Sequence, residues 1–550
     1  MYRSISVHFR SWILVHAIFG VGLALNPVIA DERMSEEAES AEVAIGERLF
    51  LETRFSFSDF VSQNRVDPVT ESTQTTTGIL PGPFRGQSMN CRSCHLVDEH
   101  GATAGAGNRT YSDFAARSPV TQRPDGNKTS PRNAQQMVDV SIPRKFGLSF
   151  HYDGEFVSLE DLTRATLTGR NFGWLPTEKQ KSVAQIARVI RDDDGKGELA
   201  KEFGGAYARV FKGTDPALAN EFRLPAQYRL DVNRATDQQI LDRVAELIAI
   251  YMRDLTFERG DKGQFTASPY DHFLKKNDLP AQPKPGETNL AYSQRLIALV
   301  SKLKTPKFVS AKDGSFEYHR QSFEFGQKEL EGMKIFFRQT GARAGNCVAC
   351  HVAPAFSDFG FHNTGVSQRE YDEVHGDGAF MGLDVPTLHE RNRDYNAFLP
   401  ATANHPAATG RFRSPAKPGE PAYTDLGLWS VFANPDLPRP QARLTAFMCE
   451  QWKKNISSAS TRCTPESLLP HTIARFRTPL LRDLGHSNPY MHNGAFDSLE
   501  SVVAFYVDMT GRAERKQLRN PPMEYAQMTL GSSDIPALTA FIRALNEDYD

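Results

Sequence analysis

Apolar residues along this chain recur mostly with the period of a helix. Leu499, Val502, Val503 and Tyr506 fall at i, i+3, i+4 and i+7, which predicts one buried face of a helix. Ile240 to Leu255 repeats the pattern, with Val244, Leu247, Ile248 and Tyr251 on one side. Asp534 is expected to cap a final helix running through Leu545, with Pro536 in its first turn. Few stretches alternate with period two, so the fold is expected to be mainly α.

Two segments resemble each other at an offset of 340 residues. Gly154, Phe156, Ser158, Leu159 and Glu160 recur as Gly494, Phe496, Ser498, Leu499 and Glu500. Asp153-Gly154 and Asn493-Gly494 are turn dipeptides. Ser158 with Asp161, and Asp497 with Glu500, have capping-box spacing, so each turn should lead into a helix. Gly46-Glu47-Arg48-Leu49-Phe50 and Gly332-Met333-Lys334-Ile335-Phe336 form a second matching pair of helices. The simplest account is two related domains, residues 31–265 and 321–550. Prolines and glycines through residues 266–320 read as a linker region, and the weakly periodic residues 366–470 as a long loop insertion in the second domain.

The N-terminus reads as an export signal. Arg3 and Arg10 precede an apolar run from Trp12 to Leu25, and Val28-Ile29-Ala30 forms a small-residue cleavage site. That run is shorter than the ~20 residues of a spanning helix. Residues 1–30 are therefore expected to be removed near Ala30, leaving a periplasmic chain with no membrane span. The formal charge of −2, from 64 basic and 66 acidic residues, gives no support to nucleic-acid binding.

The 6 cysteines carry the chemistry. Cys91-Arg92-Ser93-Cys94-His95 and Cys347-Val348-Ala349-Cys350-His351 are both C-x-x-C-H, the attachment signal of a c-type haem. Two thiols at this spacing add to the vinyl groups of one haem, and the adjacent imidazole, His95 or His351, ligates the iron. This composition yields roughly 0.002 such motifs by chance, so two together point to two covalent haems. Cys449 and Cys463 have no neighbouring His and are expected to form a disulfide in an exported protein.

Further segments give the chain its resemblance to a family. They are Phe356-Ser357-Asp358, Phe361-His362-Asn363-Thr364-Gly365, and Phe476-Arg477-Thr478-Pro479-Leu480-Leu481-Arg482 leading to Pro489-Tyr490-Met491-His492-Asn493-Gly494. With the two C-x-x-C-H sites, they resemble the bacterial dihaem cytochrome c peroxidase and MauG family. The resemblance implies two cytochrome c-like haem domains, a peroxidatic haem in the first and an electron-transfer haem in the second, with a calcium ion between them. It assigns Tyr506 to the second iron, as in MauG, with Met491 as the competing soft ligand. It assigns the calcium to Asn133 and the carbonyls of Ser487 and Pro489. Tyr152 takes the place of the inter-haem Trp. The acid that assists peroxide cleavage would fall at Phe172, which leaves Glu178 as the nearest candidate.

Thr166 stands opposite Tyr506 when the matching segments are aligned. A neutral hydroxyl is a poor iron ligand, so the first haem is expected to be open to peroxide, unless His100 or His151 caps it. The implied function is a periplasmic oxidoreductase that reduces hydrogen peroxide, drawing electrons from a small c-type cytochrome, a cupredoxin or a protein substrate. A dihaem electron carrier without chemistry of its own is one alternative, and a dioxygen-using haem oxygenase is another.

Overall fold

The computed structural model describes residues 39–62, 73–74, 79–80, 90–91, 94–95, 123, 130–317, 319–454 and 462–548. The export segment and His100 lie outside the described residues. The chain is mainly helical. Its strands are short: β1 (Thr73–Gln74) pairs antiparallel with β2 (Ile79–Leu80), and β3 (Phe361–His362) with β4 (Phe476–Arg477). In the second ribbon Phe361 faces Arg477 and His362 faces Phe476, so segments more than a hundred residues apart meet beside the second C-x-x-C-H site.

The first core is built on α1 (Ala41–Leu51), α2 (Leu159–Leu167), α3 (Lys179–Asp192) and α4 (Asp237–Asp254). Helix α4 begins one turn before the apolar pattern does. Thr236 accepts from the Gln239 N–H at 3.2 Å, and Gln239 accepts from the Thr236 N–H at 2.8 Å, a reciprocal cap built from polar residues. Helices α1 and α4 cross at Gly46. A Cβ there would stand 2.3 Å from the Leu247 carbonyl oxygen, so the crossing admits only glycine.

Residues 266–320 are not a linker. They form α5 (Pro269–Lys276) and α6 (Asn289–Val300), which bury Tyr270, Phe273, Tyr292 and Leu296 in the second core. The proline-rich sequence concealed two start signals: Ser268 accepts from Asp271 N–H and Thr288 from Ala291 N–H, both at 3.2 Å. Helix α7 (Gln327–Phe337) crosses the last helix of the chain, and Gly332 is the contact point, where a Cβ would lie 1.9 Å from the Ala537 carbonyl oxygen.

Residues 366–470 are more than a loop. They carry α8 (Val366–His375) and α9 (Gln441–Lys454) and most of a third core around Trp429, Phe412, Tyr395 and Leu428. Arg391 is fully buried there and donates to the carbonyls of Trp429, Phe432 and Ala433. Short helices and 3-10 turns give this segment its weak periodicity. The expected Cys449–Cys463 disulfide is formed.

Helix α10 (Leu499–Glu514) is capped by Ser498, which accepts from Ser501 N–H at 3.2 Å, so the expected cap at Asp497 is one residue early. Helix α11 (Ile535–Arg543) ends two residues before Leu545. The Asp534 carboxylate closes the preceding turn instead, accepting from Gly531 N–H at 3.0 Å, and pairs with Arg343 at 2.6 Å. The matching turns share one geometry. Phe150 bridges Phe156 and Tyr490 bridges Phe496, and each turn places a positive-φ glycine, Gly154 or Gly494, at the bend.

Candidate active site in two adjoining cavities

Both C-x-x-C-H segments fold into the same tight turn. The His95 N–H donates to the Cys91 carbonyl at 3.0 Å, and the His351 N–H to the Cys347 carbonyl at 2.8 Å. Each turn thereby sets its two thiols and its imidazole along one wall of a cavity. The first cavity, about 1170 Å³ counting its mouth, is lined by Cys91, Cys94 and His95; the second, about 1600 Å³, by Cys347, Cys350 and His351.

His351 is oriented by its neighbours. Its Nδ1 is 2.9 Å from the Phe356 carbonyl oxygen, which fixes the proton on Nδ1 and leaves Nε2 as a donor toward a metal. Burial lowers its pKa to about 4, which keeps the ring neutral as a ligand requires. Burial and the neighbouring thiol push Cys91 and Cys347 up to about 12, the behaviour of paired thiols in an apolar wall. This donor set fits a c-type haem in each cavity.

Tyr506 lines the second cavity, as do Met491 and His492. The Tyr506 hydroxyl has no hydrogen-bond partner among the described residues, unlike that of Tyr525, which donates to the Thr364 carbonyl at 3.1 Å. Burial, with the two thiols near it, raises the Tyr506 pKa, so the phenol keeps its proton until a metal displaces it. Met491 sits at the bend of its turn with φ of 72°, and the His492 ring stacks on Phe476 at 3.6 Å between centroids.

The two cavities share a wall. Asn133, Ala134, Gln136 and Tyr152 line both. The Tyr152 hydroxyl donates to the Ala134 carbonyl at 3.3 Å, and its ring lies 6.3 Å from that of His492. Burial pushes the Tyr152 phenol up to about 12 against the opposing pull of Arg477 and Arg132.

Asn133 and Pro489 meet in this wall. The Asn133 side-chain amide donates to the Pro489 carbonyl at 2.6 Å, its backbone N–H donates to His492, and Ser487 is buried nearby in the chain. In this rotamer the Asn133 oxygen accepts from Ala134 N–H at 3.1 Å, so presenting it to a cation requires the amide to turn over. Asn133 and Pro489 thus offer two hard oxygens in one place, where calcium takes six to eight.

Thr166 lines the first cavity, with Phe172, which is 3% exposed. Glu178 does not line it. Its carboxylate turns back to accept from the Leu175 N–H at 3.1 Å and neighbours Lys181 at 3.6 Å, the role of a helix-start cap. The candidate distal acid is therefore a local capping residue.

Two cavity residues escaped the sequence reading. Arg413 reaches the first cavity from the 366–470 segment, pairing with Glu155 at 2.6 Å and Asp153 at 3.2 Å. Arg132 joins Asp153 at 2.5 Å and grips Asp425 through two bonds of 2.6 and 2.8 Å. The 258 residues between Glu155 and Arg413 left no local signal of this contact. His151, weighed in the sequence only as an iron cap, also lines the cavity, with its Nδ1 3.0 Å from Glu155 Oε2.

Residues 40–279 match the family described as di-haem cytochrome c peroxidase. The cytochrome-c peroxidase IdrP2 of Pseudomonas sp. (strain SCT) is 42% identical over 76 residues, 14% of this chain and 18% of that protein. The protein of the same name from Denitromonas iodatirespirans is 27% identical over 223 residues, 40% of each. The chain thus matches well under half the length of these relatives. Among solved structures, the diheme peroxidase BthA of Burkholderia thailandensis aligns at a TM-score of 0.41 and 17% identity, covering 92% of this chain and 86% of its own. A MauG-like protein associated with microbial copper homeostasis aligns at 0.42 and 16%, covering 97% and 96%. Residues 40–279 thus match the di-haem cytochrome c peroxidase family, and the curated relatives that the chain is similar to are cytochrome-c peroxidases.

Proposed function

We propose that this chain is an exported dihaem peroxidase that reduces hydrogen peroxide in the first cavity and draws its electrons through the second. The observation that carries this reading is the shared wall: two cavities, each bordered by a C-x-x-C-H turn, meet at Asn133, Ala134, Gln136 and Tyr152. Cys91 and Cys94 hold one haem covalently, and Cys347 and Cys350 the other, with His95 and His351 as proximal ligands. When bound, the haems supply the iron that takes peroxide and stores electrons. The chain's own residues determine which site reacts. Tyr506, in the second cavity, would be the chain's further ligand to the second iron, whereas Thr166, in the first, is a poor ligand and would leave the first iron free to take peroxide. Tyr152 bridges the two sites as an electron stepping stone.

The two halves are related by internal duplication. The paired helix crossings at Gly46 and Gly332, and the bridges Phe150–Phe156 and Tyr490–Phe496, which are displaced by 340 residues, support it. The domain scheme then becomes residues 31–265 and 266–550, with the formerly assigned linker joining the second domain and residues 366–470 an elaboration of it. A calcium ion at Asn133 and the Pro489 and Ser487 carbonyls would brace the shared wall. Electrons come from a small c-type cytochrome, a cupredoxin or a protein substrate in the periplasm. No described helix is long and apolar enough to cross a membrane.

The test combines a pyridine haemochrome assay and intact mass with peroxide turnover using a reduced donor. The reading expects two covalent haems and donor oxidation that depends on peroxide. Any other haem count, or donor oxidation by dioxygen alone, refutes it.

A further inference from the structure

Among the described residues, no carboxylate lines the first cavity. Beyond the Cys91–His95 turn, its ionisable lining among the described residues consists of arginines, Tyr152 and His151. Peroxide reduction needs a group that accepts a proton from one oxygen and returns it to the other, and its pKa must lie near the working pH. The arginines stay protonated or nearly so, and the Tyr152 phenol is pushed up to about 12. An imidazole is the remaining group with the right chemistry.

We propose that His151 is the acid–base catalyst of the first cavity, held in position by Glu155 and Arg413. The inference rests on the reading of this cavity as a peroxide site. His151 Nδ1 is 3.0 Å from Glu155 Oε2, and Arg413 Nη2 donates to the same oxygen at 2.6 Å. Burial alone would raise the Glu155 carboxyl, but Arg413 and His151 outweigh it and hold the group well below the usual carboxylate range. A carboxylate that stays ionised keeps the imidazole proton on Nδ1 and leaves Nε2 as the acceptor. Nε2 has no hydrogen-bond partner among the described residues, and the side chain is 28% exposed in a cavity wall. The turn that carries His151 leads directly into α2, and His151 and Thr166 line the same cavity as Cys91, Cys94 and His95.

The chemistry balances as H2O2 + 2 e− + 2 H+ → 2 H2O. His151 takes the proton of the oxygen that binds and delivers it to the oxygen that leaves, so that the O–O bond breaks with water as the leaving group. The two electrons come from the reduced donor by way of the haems, and two solvent protons complete the second water. Arg170, which lines the cavity and forms no ion pair among the described residues, adds positive charge toward the departing oxygen.

The experiment uses the holoprotein with His151→Phe and Glu155→Gln, each checked for two haems and for an unchanged melting temperature. Stopped-flow mixing with peroxide, the association rate of hydrogen cyanide, and ferric EPR spectra are the readouts. Hydrogen cyanide also surrenders a proton on binding iron, so it reports the same base without turnover. His151→Phe is expected to slow both associations by about 10²- to 10⁴-fold, with the high-spin signal retained. Glu155→Gln slows them less, and added imidazole restores part of the loss in His151→Phe. Unchanged rates in His151→Phe overturn the inference while leaving the peroxide site standing. A low-spin first haem that turns high-spin in His151→Phe overturns it by making His151 a ligand. A wild-type protein inert to peroxide removes the peroxide reading, and this inference with it.

Discussion

The Tyr506 phenol lines the second cavity without a hydrogen-bond partner among the described residues, an arrangement that costs free energy unless something binds the oxygen. The proposed ligation to iron would answer that cost. Tyr506→Phe should therefore remove the low-spin ferric signal of the second haem and raise its reduction potential, because a phenolate favours ferric iron. An unchanged EPR spectrum would return the ligand role to Met491. Glu547 gives a residue-level test of pH dependence. It is fully buried, and its pKa is raised well above 4.5, by burial first and then by Asp271, Asp483 and Asp139 against Arg482. The folded chain thus binds a proton that the unfolded chain loses as pH rises past 4.5, so stability falls with rising pH through that window. Glu547→Gln should flatten this fall, read as a melting temperature that varies less between mildly acidic and neutral pH than in the wild type. The cysteines of the two C-x-x-C-H segments were legible because the chemistry proposed for them depends on spacing along the chain. Arg413 was not, because its partners Asp153 and Glu155 lie in a remote segment.

At the scale of the element, Gly332 and Gly46 mark where helices approach too closely for a side chain. Gly332→Ala places a methyl group 1.9 Å from the Ala537 carbonyl oxygen, with no flexible side chain to yield. The α7–α11 pair must separate, and the overpacking is expected to cost about 1–3 kcal/mol or more, measurable by denaturant unfolding. An alanine tolerated without loss would show that the crossing is looser than described. The apolar periodicity located α4 and α10 correctly, and missed the first turn of α4 because its cap is written in polar residues. It failed for residues 266–320 and 366–470 for a different reason. Helices of eight or ten residues, such as α5 and α8, span too few turns to establish a period among prolines and glycines. Their stability comes from the cores they join.

Across the whole molecule, buried ion pairs tie the 366–470 segment to the first half beside the first cavity. Arg132 and Asp425 form a two-bond pair with side chains 8% and 2% exposed. Burial opposes ionisation of Asp425, yet Arg132 overrides it and lowers its pKa from 3.8 to about 2. The stabilisation is present above 3.8 and is lost as pH falls toward 2. Asp425→Ala removes two charge-assisted hydrogen bonds and leaves Arg132 with Asp153 alone, which should cost about 1.5–3 kcal/mol, seen as a lower denaturation midpoint and a weaker acid transition. The first cavity is thus assembled from segments of both halves, which is why its lining was not legible from either half alone.

The account stands on one open iron beside one tyrosine-ligated iron, separated by the wall that Tyr152 shares. EPR of the fully ferric holoprotein, before and after one equivalent of hydrogen peroxide, tests it most directly. The prediction is one high-spin and one low-spin haem in equal amounts, with the high-spin signal lost on adding peroxide. Two low-spin haems, both indifferent to peroxide and cyanide, would contradict it and leave an electron carrier in place of an enzyme.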